Sequence, residues 1–299
     1  MTYPPDSGVL VSVVVPTIGR RVRLQRTIET LLNQTLDSGL YEVIIADDAS
    51  NETYEWLPSR VRLVRRDAHG GPGGARNTGL AEAVGEFIAF TDDDCLVSSD
   101  WLSSLVDAFR RYPSASAVGG PLMPDPKHLR LAPARLERRN AIRGYQRMSV
   151  DPFRNESVAR ADVSPAWGTN NLAWRAASLR ALGGFVEGTA VSEDRDLALR
   201  AGAAGHFSVF IPVVVCHDRE YSWKDLWHRY ESGPLPGRGR RGAVSLVRSG
   251  ARLPRALVRD LLLISTLDLG LFAAAVVRDV ALSVGAARAA TYRGGDRGY

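Results

Sequence analysis

Short apolar runs alternate with helical patterns through the first half of the chain. Four nearly continuous apolar runs predict buried strands at residues 11–15, 43–46, 61–64 and 87–90. Between and after them, apolar residues three or four positions apart predict helices at residues 23–32, 75–84 and 100–112. This alternation predicts an α/β fold in which a mostly parallel sheet is flanked by helices.

The pattern weakens at residues 124–162, where arginines accumulate, and we interpret this segment as a partly exposed insertion that contains a helix. The following pattern predicts a strand-like stretch at 167–174, a helix at 193–204 and a last strand at 211–216. His217 directly follows this last strand. Residues 232–243 are rich in Gly, Pro and Arg and predict a linker. We therefore predict a main domain at residues 1–218 and a C-terminal helical region at residues 219–299.

The C-terminal region shows two helical patterns. Ser222 and Asp225 form a sequence like a capping box before the first pattern. Its apolar face has four members: Trp223, Leu226, Trp227 and Tyr230. The second pattern, at residues 261–277, is short for a membrane span and contains Asp268 and Gly270, so we predict two amphipathic helices bent near Gly270. They either lie on a membrane surface, or pack as a helical subdomain or dimer contact.

The net charge of +5 is unevenly distributed. Residues 1–218 carry 24 Lys and Arg against 26 Asp and Glu, a net charge of −2, whereas residues 219–299 carry 14 against 7, a net charge of +7. A basic C-terminal region favours attraction to phosphates, whether of anionic lipid headgroups in peripheral membrane contact or of nucleic acid. A slightly acidic main domain argues against nucleic acid as a partner.

Cysteine usage and the N-terminal sequence bear on the compartment. The two cysteines, Cys95 and Cys216, lie far apart, which favours reduced thiols over a disulfide framework. The N-terminal sequence has no basic region before its short apolar run, so we expect a cytoplasmic protein, in peripheral contact with the inner face of the cell membrane if the C-terminal region binds lipid. Both cysteines adjoin candidate metal ligands, but alternation in extended chain predicts that they point away and take no part in catalysis.

The sequence AFTDDDC places three consecutive carboxylates after an apolar strand. If the strand continues, Asp92 and Asp94 share one face and Asp93 points to the other. Two carboxylates on one face suit Mg²⁺ or Mn²⁺, which bind oxygen ligands together with water and substrate phosphates. The alternative is a solvated acidic turn before the next helix.

Upstream, HGGPGGARNTG places glycines at the start of a predicted helix, with Arg76 and Asn77 in its first turns. Free N–H groups at a helix start and the planar guanidinium of Arg76 suit a diphosphate. The segment lacks the Lys-Ser/Thr pair of a P-loop and does not match G-x-G-x-x-G. The alternative is a tight connection with no ligand.

Five blocks in order carry a family resemblance: VSVVVPTIGR, VIIADDAS, GGARNTGLAEAVGEFIAFTDDDCLVSSDWL, GTNNLAWRAASLRALGGF and VSEDRDLALRAGAAG. Over residues 9–217, about two thirds of the chain, the sequence resembles a family 2 glycosyltransferase of the GT-A fold, a Rossmann-like architecture. The resemblance implies a donor-binding set near the base, ribose and diphosphate of a nucleotide sugar: Pro16, Thr17, Asp48, Gly73, Arg76, Asp92 and Asp93.

The resemblance also implies catalytic and metal-binding residues. Asp194 matches the general base, beside Glu193, and the alternative for Asp194 is an acid that favours the start of a helix. A helix start lowers a carboxylate pKa, so a base there needs desolvation or the charge of Glu193 to compensate. The implied metal ligands are Asp94, Asp92 and His217, and His217 is otherwise a structural residue. The implied acceptor contacts are Trp167 and Asn170, and Trp167 is otherwise a packing residue.

The resemblance implies an inverting, metal-dependent glycosyltransferase that uses Mn²⁺ or Mg²⁺. The donor is a nucleotide sugar, for which UDP is the commonest choice in the family, and the acceptor is a glycan or lipid-linked hydroxyl in cell-surface assembly. One alternative is a sugar-phosphate nucleotidyltransferase, although PTIGRR replaces the Gly-rich loop expected after its first strand. The other is a basic nucleic-acid-binding protein. The sequence leaves an oligomer possible.

Overall fold

The structure is a computed structural model, and it describes residues 8–164, 168–188, 193–232 and 269–291. The chain divides into two compact units. The first comprises Met1–Met123 and Ala141–Asp218, and the second comprises Pro124–Asn140 and Arg219–Tyr299. The second unit thus contains a segment that precedes residue 218.

An eight-stranded sheet forms the centre of the first unit, with strand order β3-β2-β1-β4-β9-β6-β10-β8. A second sheet has the order β5-β11-β7. The strands are β1 (Val11–Thr17), β2 (Tyr41–Asp47), β3 (Val61–Arg65), β4 (Phe87–Phe90), β5 (Cys95–Leu96), β6 (Ala117–Gly119), β7 (Leu122–Pro124), β8 (Ser157–Arg160), β9 (Leu172–Arg175), β10 (Phe207–Phe210) and β11 (Val215–His217). Strands β1 to β4 pair in parallel, whereas β9 runs antiparallel to both β4 and β6, so the sheet is mixed but mostly parallel on its N-terminal side.

The helices of the described residues are α1 (Arg21–Leu32), α2 (Gly71–Glu82), α3 (Trp101–Arg111), α4 (Ala132–Arg147), α5 (Ala176–Ala181), α6 (Glu193–Ala203), α7 (Trp223–Ser232) and α8 (Leu269–Thr291), with a short 3-10 helix at Pro126–His128. The predicted α/β fold is confirmed, and so are the predicted helices that correspond to α1, α2, α3 and α6.

The large sheet separates two apolar clusters because neighbouring residues of a strand point to opposite faces. In β1, Val13 and Val15 belong to the cluster that contains Leu24 of α1, whereas Val14 belongs to the cluster that contains Ala75 of α2. All five side chains are buried. This two-sided burial explains why β1 is continuously apolar.

Three sequence predictions need correction. Strand β3 is an edge strand with largely exposed residues, because β2 is its only partner among the described strands. The predicted strand at 211–216 is replaced by β10 in the large sheet and β11 in the small one. Within the described part of the segment predicted as a strand at 167–174, the strand is Leu172–Arg175, and it follows a turn at Thr169 and Asn170.

In the second unit, α7 begins as predicted: the N–H of Asp225 donates to the hydroxyl of Ser222 at 3.0 Å. The aromatic face is not uniformly buried, since Trp223 is 45% exposed while Leu226 is fully buried. Leu226 packs with Leu136, Ala274 and Ala275, so part of α8 packs within this unit.

Gly270 lies at the start of α8, which runs unbroken to Thr291. The part of the predicted bent pair before Leu269 lies outside the described residues. Among the residues that the structure describes, no helix is both long enough and apolar enough to cross a membrane.

Candidate active site

The carboxyl ends of β1, β2 and β4 meet at one edge of the large sheet, where ligands bind in open parallel sheets. Thr17 ends β1, Asp47 ends β2, and the acidic triplet follows β4. The hydroxyl of Thr17 donates to Asp93 at 2.6 Å, which joins the ends of β1 and β4. Pro16 is buried one residue earlier, opposite Ala46 of β2.

The triplet is a turn and not a continued strand, so its expected alternation is wrong. Asp93 and Asp94 both pair with Arg20, whereas Asp92 pairs with Arg76. Arg20 donates its Nε to Asp93 at 3.1 Å and its Nη1 to Asp94 at 3.3 Å. Burial raises the pKa of Asp93, and Arg20 and Thr17 counteract that rise. The turn makes Asp93 the buried anchor of the site.

The two carboxylate oxygens of Asp94 have different neighbours. Oδ1 lies 3.2 Å from Nε2 of His217, which ends β11. Oδ2 lies 3.3 Å from Nη1 of Arg20 and 3.7 Å from Nη1 of Arg23. Asp94 therefore presents one oxygen to the imidazole and the other to two guanidinium groups.

Arg76 connects the acidic turn to the start of α6. Its Nη1 donates to Glu193 at 2.6 Å and its Nη2 donates to Asp92 at 2.8 Å. The side chain is 4% exposed and lies over the ring of Phe185. Among the residues that the structure describes, none is a hydrogen-bond partner of its buried Nε. Residues that are 16 and 117 positions from Arg76 are thereby brought to one guanidinium.

Asp48 holds the Gly-rich segment in place. Its two oxygens accept the N–H groups of Gly70 and Gly71 at 2.8 and 2.9 Å, and Nε of Arg66 lies 3.3 Å away. The next residue, Ala49, has a positive φ of 57°, a left-handed conformation that is strained for a residue with a side chain. Two of the N–H groups expected to meet a diphosphate thus bind Asp48 in this structure.

Gly73 is buried where α2 approaches the segment before α6. A Cβ at this position would lie 2.4 Å from the carbonyl oxygen of Val186 and 3.4 Å from Cβ of Glu193. Only glycine permits this approach, because backbone cannot yield as a flexible side chain can. The close contact explains how Arg76, one turn later, reaches Glu193.

Asp194 has the electrostatics of a base that works near neutral pH. Burial, and then the negative charge of Glu193, raise the pKa of Asp194 from 3.8 to about 6. The N–H of Arg195 donates to its Oδ1 at 2.7 Å and opposes this rise. Desolvation and Glu193 therefore outweigh the effect of the helix start, as a base requires.

The expectation that the side chain of Cys95 points away from the candidate metal ligands is wrong, since its thiol lies beside Asp94 and His217. His217 pairs directly with Cys95 in the antiparallel ladder of β11 and β5, and paired residues point to the same face. One ligand atom from each of Asp94, Cys95 and His217 lies within 4.8 Å of the others. Carboxylate, imidazole and thiol are all ligands of divalent cations, so these residues fit a metal ion.

The candidate acceptor residues are only partly described. Trp167 lies outside the described residues. The carbonyl oxygen of Asn170 accepts the hydroxyl of Thr91 at 3.0 Å, which places Asn170 beside the end of β4. The neighbouring Asn171 is structural: its amide accepts from Trp101 at 2.9 Å and donates to the carbonyls of Pro121 and Val213.

Sequence reasoning assigned no role at this site to Arg20, Arg23 or Cys95. Arg20 directly precedes α1, and Arg23 lies in the first turn of that helix three residues later. That spacing, directly after β1, was an available signal. The sequence contains no comparable signal for Cys95, because the position of Cys95 depends on pairing with a strand more than 100 residues later.

The model of the family described as "Glycosyl transferase family 2" matches residues 12–165, just over half of the chain. The chain belongs to glycosyl transferase family 2. The match includes all but the first residue of β1, the Gly-rich segment and the acidic turn. Family membership favours glycosyl transfer over the nucleotidyltransferase and nucleic-acid-binding alternatives.

This family 2 chain is similar to curated and solved transferases. It is 27% identical over 257 residues to the pre-mycofactocin glycosyltransferase of Mycobacterium tuberculosis. The aligned region covers 81% of this chain and 51% of that relative. The chain spans between a quarter and about half of the length of the first curated relatives that it matches.

Two solved structures confirm the GT-A type of fold. The mannosyltransferase PcManGT from Pyrobaculum calidifontis, in complex with GDP-Man and Mn²⁺, has a TM-score of 0.58 at 19% identity and covers 95% of this chain and 88% of its own. S. aureus TarS 1–349 in complex with UDP-GlcNAc has a TM-score of 0.52 at 17% identity, and the match covers 75% of this chain and 65% of the TarS chain.

Proposed function

We propose that this family 2 chain is an inverting, metal-dependent glycosyltransferase. It transfers a sugar from a nucleotide-sugar donor, with UDP as the expected nucleotide, to a hydroxyl acceptor in cell-surface glycan or glycolipid assembly. The arrangement of Arg76 carries this proposal, because its guanidinium contacts both the acidic turn and the helix start that holds Asp194. A residue suited to a diphosphate is thus next to a carboxylate suited to deprotonate an acceptor.

The residues of this chain take separate parts in the reaction. Arg76 offers a planar cation to the diphosphate, and its contribution increases as negative charge grows on the departing nucleotide. Asp194 accepts the proton of the acceptor hydroxyl while that oxygen attacks the anomeric carbon from the face opposite the leaving group. One displacement of this kind inverts the anomeric configuration.

Asp94 and His217 would hold the divalent cation, with Asp92 near its bound waters or the ribose. A bound Mn²⁺ or Mg²⁺ would stabilise negative charge on the two phosphates. The 3.2 Å separation of Asp94 Oδ1 and His217 Nε2 supports shared ligation of one ion. Arg20 and Arg23 add positive charge on the other side of Asp94.

A donor panel tests the proposed function. Thermal unfolding is measured with UDP, dTDP, GDP and their sugars, each with and without Mn²⁺. We expect a rise in Tm for one base that depends on Mn²⁺, because a ligand stabilises only the state that binds it. No rise with any nucleotide would contradict donor binding, and an equal rise without the cation would contradict metal dependence.

The raised pKa of Asp194 predicts the pH dependence of catalysis. A protonated Asp194 cannot accept a proton, so kcat/KM should fall about tenfold per pH unit below an apparent pKa of about 6. Above that pH the carboxylate is ionised and the rate should level off. Rates are measured from pH 4.5 to 8.5 at saturating Mn²⁺, and a profile that is flat between pH 5 and 7 would remove Asp194 as the base.

A lipid-linked acceptor would be consistent with the basic C-terminal region, whose net charge is +7. We propose that this region contacts anionic membranes peripherally. Truncation is a poor test, because removal of α8 would uncover Leu226, which packs with Ala274 and Ala275. Charge neutralisation avoids that problem.

Replacing Arg238, Arg240 and Arg241 with Gln should reduce sedimentation with anionic vesicles roughly tenfold or more, at about 1 kcal/mol for each cation near the surface. The matched control replaces three exposed arginines of the first unit: Arg60, Arg62 and Arg110. Equal sedimentation of the two variants would contradict a specific role for the basic segment. Vesicles of neutral lipid should bind neither protein.

A further inference from the structure

We propose that Cys95 completes, with Asp94 and His217, a three-ligand site that binds thiophilic divalent cations such as Zn²⁺ and Co²⁺ more tightly than Mn²⁺ or Mg²⁺. The inference rests on the proposed metal role of Asp94 and His217. It adds a ligand of a different chemical kind, a thiol sulfur, and with it a different preference among metals.

Backbone pairing places the thiol beside the other two ligands. Cys95 and His217 are cross-strand partners of β5 and β11, and Asp94 directly precedes Cys95. Cys216 neighbours His217 but pairs with Leu96, so its side chain leaves the strand on the opposite face. Of the two cysteines, only Cys95 belongs to the ligand cluster.

The distances suit a tetrahedral ion. Oxygen and nitrogen ligands about 2.0–2.1 Å from zinc lie about 3.3 Å from each other at the tetrahedral angle. Asp94 Oδ1 and His217 Nε2 are 3.2 Å apart. A thiolate ligand about 2.3 Å from zinc would lie about 3.6 Å from that nitrogen. The three ligand atoms lie within 4.8 Å of one another, so Cys95 would need to approach by about 1.2 Å at most.

The carboxylate of Asp94 can ligate without losing its arginines. Its Oδ1 faces His217, whereas Oδ2 faces Arg20 and Arg23. Three protein ligands leave the fourth tetrahedral position for a phosphate oxygen or water, as in zinc sites with an open position. The thiol gives its proton to the buffer when the metal–sulfur bond forms.

Ligand softness determines the metal preference. Thiolate and imidazole suit zinc and cobalt, whereas Mg²⁺ and Mn²⁺ favour oxygen ligands. A site without a cysteine would retain much of its Mn²⁺ affinity, but it would lose the ligand that discriminates in favour of Zn²⁺. Zn²⁺ and Mn²⁺ would then compete for one position in the wild-type protein.

Cobalt titration of the full chain tests the thiol ligand. The protein is freed of metal by a chelator under reducing conditions and titrated with Co²⁺ alone, and then with Mn²⁺ alone. We expect a thiolate-to-cobalt charge-transfer absorption in the near ultraviolet for the wild type and for Cys216→Ser, the matched control. Cys95→Ser and Cys95→Ala should lack this absorption.

Competition between ions gives the second readout. Displacement of bound Mn²⁺ by Zn²⁺ should require roughly tenfold more Zn²⁺ or higher in the Cys95 variants, whereas Mn²⁺ affinity should change by less than about threefold. Circular dichroism and the Mn²⁺ titration itself establish that a variant is folded. Two replacements are used because Cys95 is fully buried and one of them can disturb packing.

The outcomes separate this inference from the proposed function. Cobalt absorption that persists in both Cys95 variants overturns ligation by Cys95. Mn²⁺ binding without cobalt absorption in the wild type also overturns it, and leaves the site of Asp94 and His217 in place. If the wild type and His217→Ala both fail to bind either ion, the proposed metal dependence fails as well.

Discussion

Replacing Asp194 with Asn is expected to lower kcat by roughly 10²–10⁴-fold while donor binding persists. Asn has nearly the same shape but cannot accept the proton of the acceptor hydroxyl. Arg76, Asp92 and Glu193 keep their contacts, because none of the hydrogen bonds among them involves Asp194. The measurement is kcat under saturating donor and acceptor, together with the nucleotide affinity in Mn²⁺.

Asp196→Asn is the matched control for this variant. Asp196 lies in the same first turn of α6, but its carboxylate pairs with Arg200 at 2.7 Å, one helical turn later. This control should keep kcat within about threefold, since surface ion pairs of this kind contribute little. A kcat of Asp194→Asn within tenfold of the wild type would exclude Asp194 as the base.

The Asp194→Asn variant should be at least as stable as the wild type at pH 8. Because the pKa of Asp194 is raised to about 6 in the folded state, the folded protein holds that proton more tightly than the unfolded chain does. The ionised group therefore disfavours folding above pH 6, and this cost vanishes below the unfolded value of 3.8. Asn removes a cost of up to about 3 kcal/mol at pH 8, so a retained or higher Tm should accompany the loss of turnover.

Asp94→Asn has the second large expected effect, a loss of the cation-dependent part of nucleotide binding and a fall of about 100-fold or more in kcat/KM. An amide is a weaker ligand than a carboxylate and leaves the ion with one negative charge fewer. The fold should persist, because Asp93 keeps its contacts with Thr17 and Arg20. Calorimetric titration with UDP, in Mn²⁺ and in chelator, measures the effect.

The control for Asp94→Asn is Asp107→Asn on α3. Asp107 is exposed on a solvated helix face and pairs with Arg110 at 3.1 Å. Asp107→Asn therefore removes the same charge from a residue outside the acidic turn. Its UDP affinity should equal that of the wild type. If Asp94→Asn also binds UDP in Mn²⁺ with wild-type affinity, Asp94 is not a metal ligand.

The interior elements of the first unit were predictable because their physical signals are local. The runs at β1, β2 and β4 are continuously apolar, since each strand is covered on both faces. The same signal misled at β3, where apolar residues occupy an exposed edge. Burial depends on neighbours in the sheet, which a single segment does not encode.

The chemistry-bearing residues were predictable by type and by order along the chain, since strand ends collect polar residues. Their pairing was not. The alternation assigned to Asp92, Asp93 and Asp94 assumed an extended chain, whereas a turn gives Asp93 and Asp94 a common partner in Arg20. Side-chain direction follows backbone conformation, so the alternation expected for an extended chain does not hold in a turn.

By itself, the sequence determined the α/β class, the family resemblance and the set of carboxylates around which a site could form. Periodicity and local motifs carry that information within short windows. Only the tertiary structure decided that Arg76 joins Asp92 to Glu193, that burial lifts the pKa of Asp194, and that Cys95 faces His217. Each of these depends on contacts between residues more than 100 positions apart or on exclusion of water, and both arise only when the chain is folded.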